Sequence, residues 1–177
     1  MPCDPDRTPL VPSRRLLLTA PLALIPSLAT AAGSEAWVWL TNPAGDEVRR
    51  VYRRGTAWDR AALGAIAVML RDRGAAESLV IDPRLIEILG ALQAGLGFRA
   101  PFLVTSGYRA PETNRRLEGA AQRSLHLAGM AADISMAGTP PRRIAELALQ
   151  LAAGGVGLYP SAGFVHIDSG EVRRWTS

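Results

Sequence analysis

Two short runs near residue 40 stand out along the chain, one wholly apolar and one mixing apolar residues with arginine. Ala36-Trp37-Val38-Trp39-Leu40 and Val48-Arg49-Arg50-Val51-Tyr52 are rich in strand formers, and Asn42-Pro43-Ala44-Gly45-Asp46 between them is turn-forming. The pattern predicts a hairpin. From Trp58 to Arg73, apolar Leu63, Ile66, Ala67 and Leu70 recur at helical spacing, and Gly74 supplies a stop. Asp82-Pro83 opens a second helix with Leu85, Ile88, Leu89 and Leu92 on one face. Pro83 suits a first helical turn, where its missing N–H has no partner to lose. Phe102–Thr105 reads as a strand ending at Ser106-Gly107, and Glu112–Leu117 as a short helix. Two more strands are expected at Ala131–Ser135 and Gly163–Asp168. Between them a helix runs from about Pro141 to Ala153 and closes at Gly154-Gly155. A hairpin, then helices, then strands mixed with helices predicts an α+β fold with a small antiparallel sheet and flanking helices.

The N-terminus has a different texture. Arg14-Arg15 precedes an apolar run from Leu16 to about Ala29, which ends in Ala29-Thr30-Ala31-Ala32. A charged start, a short apolar stretch and an Ala-x-Ala site are the parts of an export signal. The arginine pair suggests the twin-arginine route, which carries folded proteins. Residues 1–31 are therefore expected to be the signal and residues 32–177 the working domain. The competing reading is an uncleaved anchor. Pro21 and Pro26 interrupt the run, and it is shorter than the ~20 apolar residues a span needs, so no stable membrane span is expected once the signal is removed.

Composition narrows the chemistry. The 177 residues suit one domain. All 20 basic residues are arginine and the net charge is +4. Nucleic-acid binders commonly mix lysine into their basic stretches, so this usage reads as compositional bias and no nucleic-acid partner is expected. The cluster Arg49, Arg50, Arg53 and Arg54 reads as a solvated edge strand, with attraction to an anionic polymer as the alternative. Cys3 is the single cysteine, which excludes an intramolecular disulfide and a cysteine-rich metal site. There are two histidines, His126 and His166, so a three-histidine mechanism is excluded too.

Both histidines sit beside a predicted strand and near a carboxylate. Ser124-Leu-His-Leu-Ala-Gly-Met-Ala-Ala-Asp133 contains His126 and Asp133, and Phe164-Val-His-Ile-Asp168 contains His166. Two imidazoles and one carboxylate match a catalytic zinc site, with three protein ligands and a position open to water. Zinc-bound water has a pKa near ~7, which makes a nucleophile available at neutral pH. Residues two apart on a strand share a face about 6.6 Å apart. If His166 faces a metal, Phe164 and Asp168 face the same cleft, and Val165 and Ile167 face the core. Asp168 then either takes a proton from water or holds His166.

The stretch from Ser124 to Asp133 resembles the first metal motif of the D-alanyl-D-alanine zinc peptidases, which share a fold with lysostaphin and the hedgehog signalling domain. Ser106-Gly107-Tyr108-Arg109 with Asn114, Gly155-Val156-Gly157-Leu158-Tyr159, and Phe164–Asp168 running on to Arg173-Arg174-Trp175 are similar to one branch. That branch is the murein endopeptidase K group, small exported enzymes that cut peptidoglycan cross-links. The resemblance covers essentially the whole chain after the signal. It implies one zinc per chain on His126, Asp133 and His166, stem peptides of peptidoglycan as substrate, and a periplasmic location. It also implies that Arg109 lines the cleft and steadies the scissile carbonyl or its oxyanion. Ser124 is a candidate support for the ligands, and Tyr159, Tyr108 and Asn114 are candidate substrate or supporting residues. Tyr159 has the alternative of closing a glycine-rich turn. Relatives carry an acid three residues before the last metal histidine, and here that position is Gly163. Asp168 is the best remaining candidate base. The alternatives left open are a D-alanyl-D-alanine-type carboxypeptidase and a non-catalytic peptidoglycan-binding module.

Overall fold

The computed structural model describes residues 34–75 and 80–177. The export signal expected at 1–31, Cys3 and the boundary at residue 32 lie outside the described residues.

The hairpin forms as its strand formers and intervening turn predict: β1 (Glu35–Thr41) pairs antiparallel with β2 (Glu47–Arg54). Asn42 fixes the turn, its Oδ1 accepting from the N–H groups of Ala44 (3.0 Å) and Asp46 (3.2 Å), the local bonding that suits asparagine to turns. β3 (Ala57–Trp58) folds back onto β2. α1 spans Arg60–Met69, shorter at both ends than the helix expected over Trp58–Arg73. Trp58 belongs to β3, and Asp59 caps the helix by accepting from the Ala62 N–H at 3.0 Å. At the other end the Leu70 carbonyl accepts from the N–H of distant Tyr108 (2.7 Å) instead of from another helical turn.

α2 (Pro83–Gly95) starts where predicted, with Asp82 accepting from the Arg84 N–H at 3.0 Å. It buries Leu85, Ile86, Ile88, Leu89 and Leu92. Gln93, also fully buried, serves the sheet. Its Oε1 accepts from the Trp39 N–H (2.7 Å) and its Nε2 donates to the Trp39 carbonyl (2.6 Å). The amide thus replaces a neighbouring strand along the part of β1 that the next strand does not reach.

That strand is β4 (Phe102–Ser106), which pairs with β1 only at Leu40 and Thr41. There follow α3 (Pro111–Arg116), a 3₁₀ turn (Leu125–Ala128), β5 (Ala131–Met136), α4 (Pro141–Leu151), β6 (Gly155–Tyr159), β7 (Phe164–Asp168) and β8 (Arg173–Thr176). The eight strands make one sheet in the order β3-β2-β1-β4-β5-β7-β6-β8. The α+β class holds, but the sheet is neither small nor wholly antiparallel, since β1–β4 and β6–β8 run parallel. α4 stops at Leu151, where Ala152 turns left-handed at φ 47°, and Gly155 belongs to a strand rather than to a helix stop. The expected glycine-rich turn at 155–159 is therefore β6. Glycine weakens strand propensity, but pairing with β7 on one side and β8 on the other overrides it.

The pleat sorts the side chains. Ala132, Ile134 and Met136 of β5, Val156 of β6, and Val165 and Ile167 of β7 join Ile66 of α1, Leu89 of α2 and Ile144 of α4 in one core. The alternate residues, Asp133, Gly157, Tyr159, Phe164, His166 and Asp168, emerge on the opposite face. The site is built there.

Candidate metal centre

His126 sits in the 3₁₀ turn that leads into β5. Ser124 caps that turn, its Oγ accepting from the His126 N–H at 3.4 Å, and Gly129 ends it in the left-handed region at φ 67°. The His126 carbonyl accepts from the Arg109 N–H at 3.1 Å. On the ring, Nδ1 donates to the Gly107 carbonyl at 2.6 Å. The segment carrying that carbonyl is itself docked on the end of α1. A side chain at 107 would place its Cβ 2.4 Å from the Leu70 carbonyl oxygen, so only glycine allows the approach. The Ala110 N–H then donates to the Oδ2 of Asp72 at 2.7 Å.

Asp133 and His166 are direct cross-strand partners on β5 and β7. His166 Nδ1 lies 2.9 Å from Asp133 Oδ1 and 3.2 Å from His126 Nε2, and His126 Nε2 lies 3.3 Å from the same carboxylate oxygen. His166 Nε2 donates to Asp168 Oδ2 at 3.1 Å. Asp168 is fully buried. It also accepts from the N–H groups of Gly155 (3.1 Å) and Gly170 (2.9 Å) and from both terminal nitrogens of Arg173 (3.1 and 2.7 Å). Burial alone would raise its pKa. The bonds from His166, Gly170, Arg173 and Gly155 outweigh burial and hold it at about 2, so it is an ionised acceptor at neutral pH.

The outer hydrogen bonds fix the inner chemistry. A carbonyl and an ionised carboxylate can only accept, so His126 Nδ1 and His166 Nε2 carry the hydrogens. In the neutral rings His126 Nε2 and His166 Nδ1 then turn lone pairs inward, against each other and against Asp133. Three acceptors within 3.3 Å of one another need a positive charge between them. A proton can supply it: burial disfavours the charged His166, but its bonds to Asp133 and Asp168 win and raise its pKa. Asp133 is driven far below the usual carboxylate range, because hydrogen bonds from His126 and His166 overcome the effect of burial. A metal cation suits the same space. The nitrogen and oxygen donors fit zinc, and the ligand atoms of His126, Asp133 and His166 lie within 4.8 Å of one another.

The centre opens into a cleft of about 460 Å³ whose lining includes Arg109, Glu118, Arg123, Ser124, Tyr159 and Trp175. Arg109 donates from Nε to Ser106 Oγ (2.7 Å) and from Nη2 to Asp133 Oδ2 (2.6 Å). Tyr159 stacks on Phe164 at 4.5 Å, and its hydroxyl accepts from the Trp175 indole N–H at 3.0 Å. Of the residues expected near the site, Tyr108 is instead buried in the core. Asn114 lies under the cleft wall, its Nδ2 donating to the Ala121 carbonyl at 3.0 Å. Gly163 occupies the tight β6–β7 turn at φ 75°, a conformation in which an acidic side chain would be strained. Sequence reading missed the Gly107 carbonyl, the brace from Arg173, and Trp175 as part of the cleft wall. Arg173 carried a signal of sorts, a cation five residues beyond a strand-ending aspartate.

Comparison with known proteins agrees with this geometry. Residues 30–175 match the family described as peptidoglycan L,D-endopeptidase MepK. The chain is 33% identical over 178 residues to the peptidoglycan L,D-endopeptidase MepK of Escherichia coli K12, spanning 97% of this chain and 98% of that protein. It is 33% identical over 136 residues to the probable peptidoglycan L,D-endopeptidase MepK of Haemophilus influenzae, spanning 74% and 73%. With a buried pair of histidines and an aspartate converging beside an open cleft, and with likeness along nearly its whole length, the chain belongs to the MepK family of metal-dependent peptidases.

Proposed function

We propose that this peptidase is a zinc-dependent murein endopeptidase that hydrolyses peptide cross-links of peptidoglycan in the periplasm. The observation that carries the reading is the convergence of three acceptors, His126 Nε2, His166 Nδ1 and Asp133 Oδ1, on one space at the foot of a cleft. Likeness to proteins named peptidoglycan L,D-endopeptidase supports the substrate class. The fold is read as that of the D-alanyl-D-alanine peptidases and the hedgehog domain, supported by the α+β layering with the site on the open sheet face. Residues 1–31 are read as a twin-arginine export signal and 32–177 as the peptidase domain. Among the described residues no helix is long and apolar enough to cross a membrane.

His126, Asp133 and His166 are the residues that would hold one zinc ion. When bound there, zinc supplies a Lewis acid and a water of lowered pKa. Arg109 keeps one terminal nitrogen on Asp133 and presents a permanent cation to the cleft, suited to the negative charge that builds on a scissile carbonyl oxygen. Ser124 steadies the turn that bears His126. Asp168 is reassigned from the first expectation. Fully buried, with both oxygens occupied by N–H donors, it has no path to a water in the cleft. Its role is to hold the His166 ring and its tautomer.

The test is zinc content and muropeptide products measured together on the purified protein. One zinc per chain, dimers converted to monomers, and arrest by chelator are expected. Release of terminal D-alanine from uncross-linked peptides instead would make it a carboxypeptidase. Zinc and wall binding without any cleavage would make it a binding module.

A further inference from the structure

A second cavity, of about 500 Å³, lies between the hairpin, α2 and the end of α4, and it shares no lining residue with the cleft. Its walls are mainly apolar, with Trp37, Ile88, Ala91, Phe98 and Leu151 among them. Size and lining are those of small-molecule sites, which span about 300–1,000 Å³. The Trp37 and Phe98 rings stack at 3.7 Å and make one wall. Backbone strain gathers here as well. Among the described residues, the two non-glycine residues in the left-handed region are Phe98 (φ 49°) and Ala152 (φ 47°), and both line this cavity. Residues held in that region are uncommon and cluster at ligand sites.

One polar group lines the cavity without a partner. Tyr52 is 2% exposed, and its hydroxyl makes no hydrogen bond with any described residue. A buried tyrosine O–H ordinarily has one. The hydroxyl lies over Gly90, another wall residue, where a Cβ would stand 2.6 Å from it. Burial, reinforced by the nearby Glu87 carboxylate and opposed by Arg53, pushes its pKa up to about 12. It therefore holds its proton at neutral pH and can donate. The charged residues of the lining are already engaged. Arg53 pairs with Glu87 at 3.0 Å, Glu35 pairs with Arg54 at 3.0 Å, and Arg84 donates to the Ala153 carbonyl at 2.8 Å. The lining thus offers apolar surface and one hydroxyl, with no uncommitted charge.

We propose that this cavity is a binding site for an uncharged, largely apolar molecule that carries one oxygen, of the class of an aliphatic alcohol. The apolar body lies along Trp37, Ile88, Phe98 and Leu151, and the oxygen accepts from the Tyr52 hydroxyl. A carboxylate or ammonium head is disfavoured, because it would enter an apolar space with no free counter-charge. The site is separate from the metal centre, so binding there does not depend on the peptidase reading.

The experiment titrates the full-length chain with 1-octanol, octanoate and octylamine by calorimetry, and locates binding by backbone amide chemical shifts. Saturable binding of one octanol per chain is expected, with shifts at Gly90 and Ala91 and none at His126 or His166. Octanoate and octylamine should bind about tenfold more weakly or worse. Tyr52→Phe, which removes only the hydroxyl, should weaken octanol about fivefold, the worth of one hydrogen bond. Ala91→Phe should fill the cavity and abolish binding. Ala94→Trp, at an exposed position of the same wall, serves that end if Ala91→Phe fails to fold. Non-saturable partitioning, equal affinity for the three probes, shifts confined to the cleft, or octanol affinity unchanged in Tyr52→Phe would each overturn the site.

Discussion

The two histidines of the centre are held by opposite means. His126 belongs to a loop half, where a neutral backbone carbonyl fixes the ring and a glycine lets that carbonyl's segment press against the end of α1. His166 belongs to a strand half, where a buried carboxylate fixes the ring and is itself held by Arg173 and two backbone N–H groups. The loop half is positioned by steric fit and carries no formal charge. The strand half is positioned by ionic hydrogen bonds and responds to pH. The same geometric end, a lone pair aimed at the centre, is reached once by packing and once by electrostatics.

The largest effect comes from removing what both halves serve. Asp133→Ala should leave zinc unretained after gel filtration and reduce dimer cleavage to background. Retained zinc would dismiss Asp133 as a ligand. Arg109 bridges the halves, since its N–H holds the His126 carbonyl and its guanidinium holds Asp133. Arg109→Ala is expected to lower kcat by about 10²–10³ with zinc still bound. Asp168→Asn attacks the strand half alone. Zinc affinity should fall about 10–100-fold, the usual cost of losing a partner behind a metal histidine, and turnover should follow occupancy. Turnover abolished at full occupancy would return the proton-transfer role to Asp168.

Gly107→Ala attacks the loop half and should show as lost stability, about 1–3 kcal/mol by thermal or urea unfolding, because Leu70 must be pushed aside. The smallest effect separates the halves by pH. Asp168 titrates lower in the folded chain than in the unfolded one, at about 2. Its contribution, about 2 kcal/mol, is complete above the ordinary carboxylate pKa and is lost as pH falls from there through about 2. Acid unfolding of Asp168→Asn should lack that segment. His166 has the opposite sign: its raised pKa stabilises the metal-free fold on the acid side, an effect lost as pH rises through that pKa. Zinc, which needs the neutral ring, should bind more tightly over the same rise.

What could be read from sequence was whatever depends on neighbours in the chain. The hairpin and the start of α2 were legible because Asn42 and Asp82 bond to backbone groups within four residues. The candidate ligands were legible because two histidines and few nearby carboxylates leave little choice, and strand period put Asp168 on the face of His166. Its burial was not legible. That depends on Gly155 and Arg173, which arrive on β6 and β8, strands whose glycines and short length hide them from propensity. Tyr108 sat beside a real site residue but turned into the core, since its N–H bonds Leu70 and the chain reverses there.

The position of β8 sets an order of events during synthesis. The elements from β1 to α2, which carry half of the buried apolar residues, leave the ribosome before the cleft, every part of which lies beyond residue 105. Arg173, which clamps Asp168 and through it His166, emerges last of the clamp's members. A growing chain thus acquires the clamp behind His166 only when its last strand is made. An enzyme that cuts the wall is in this way built with its blade fitted at the final step.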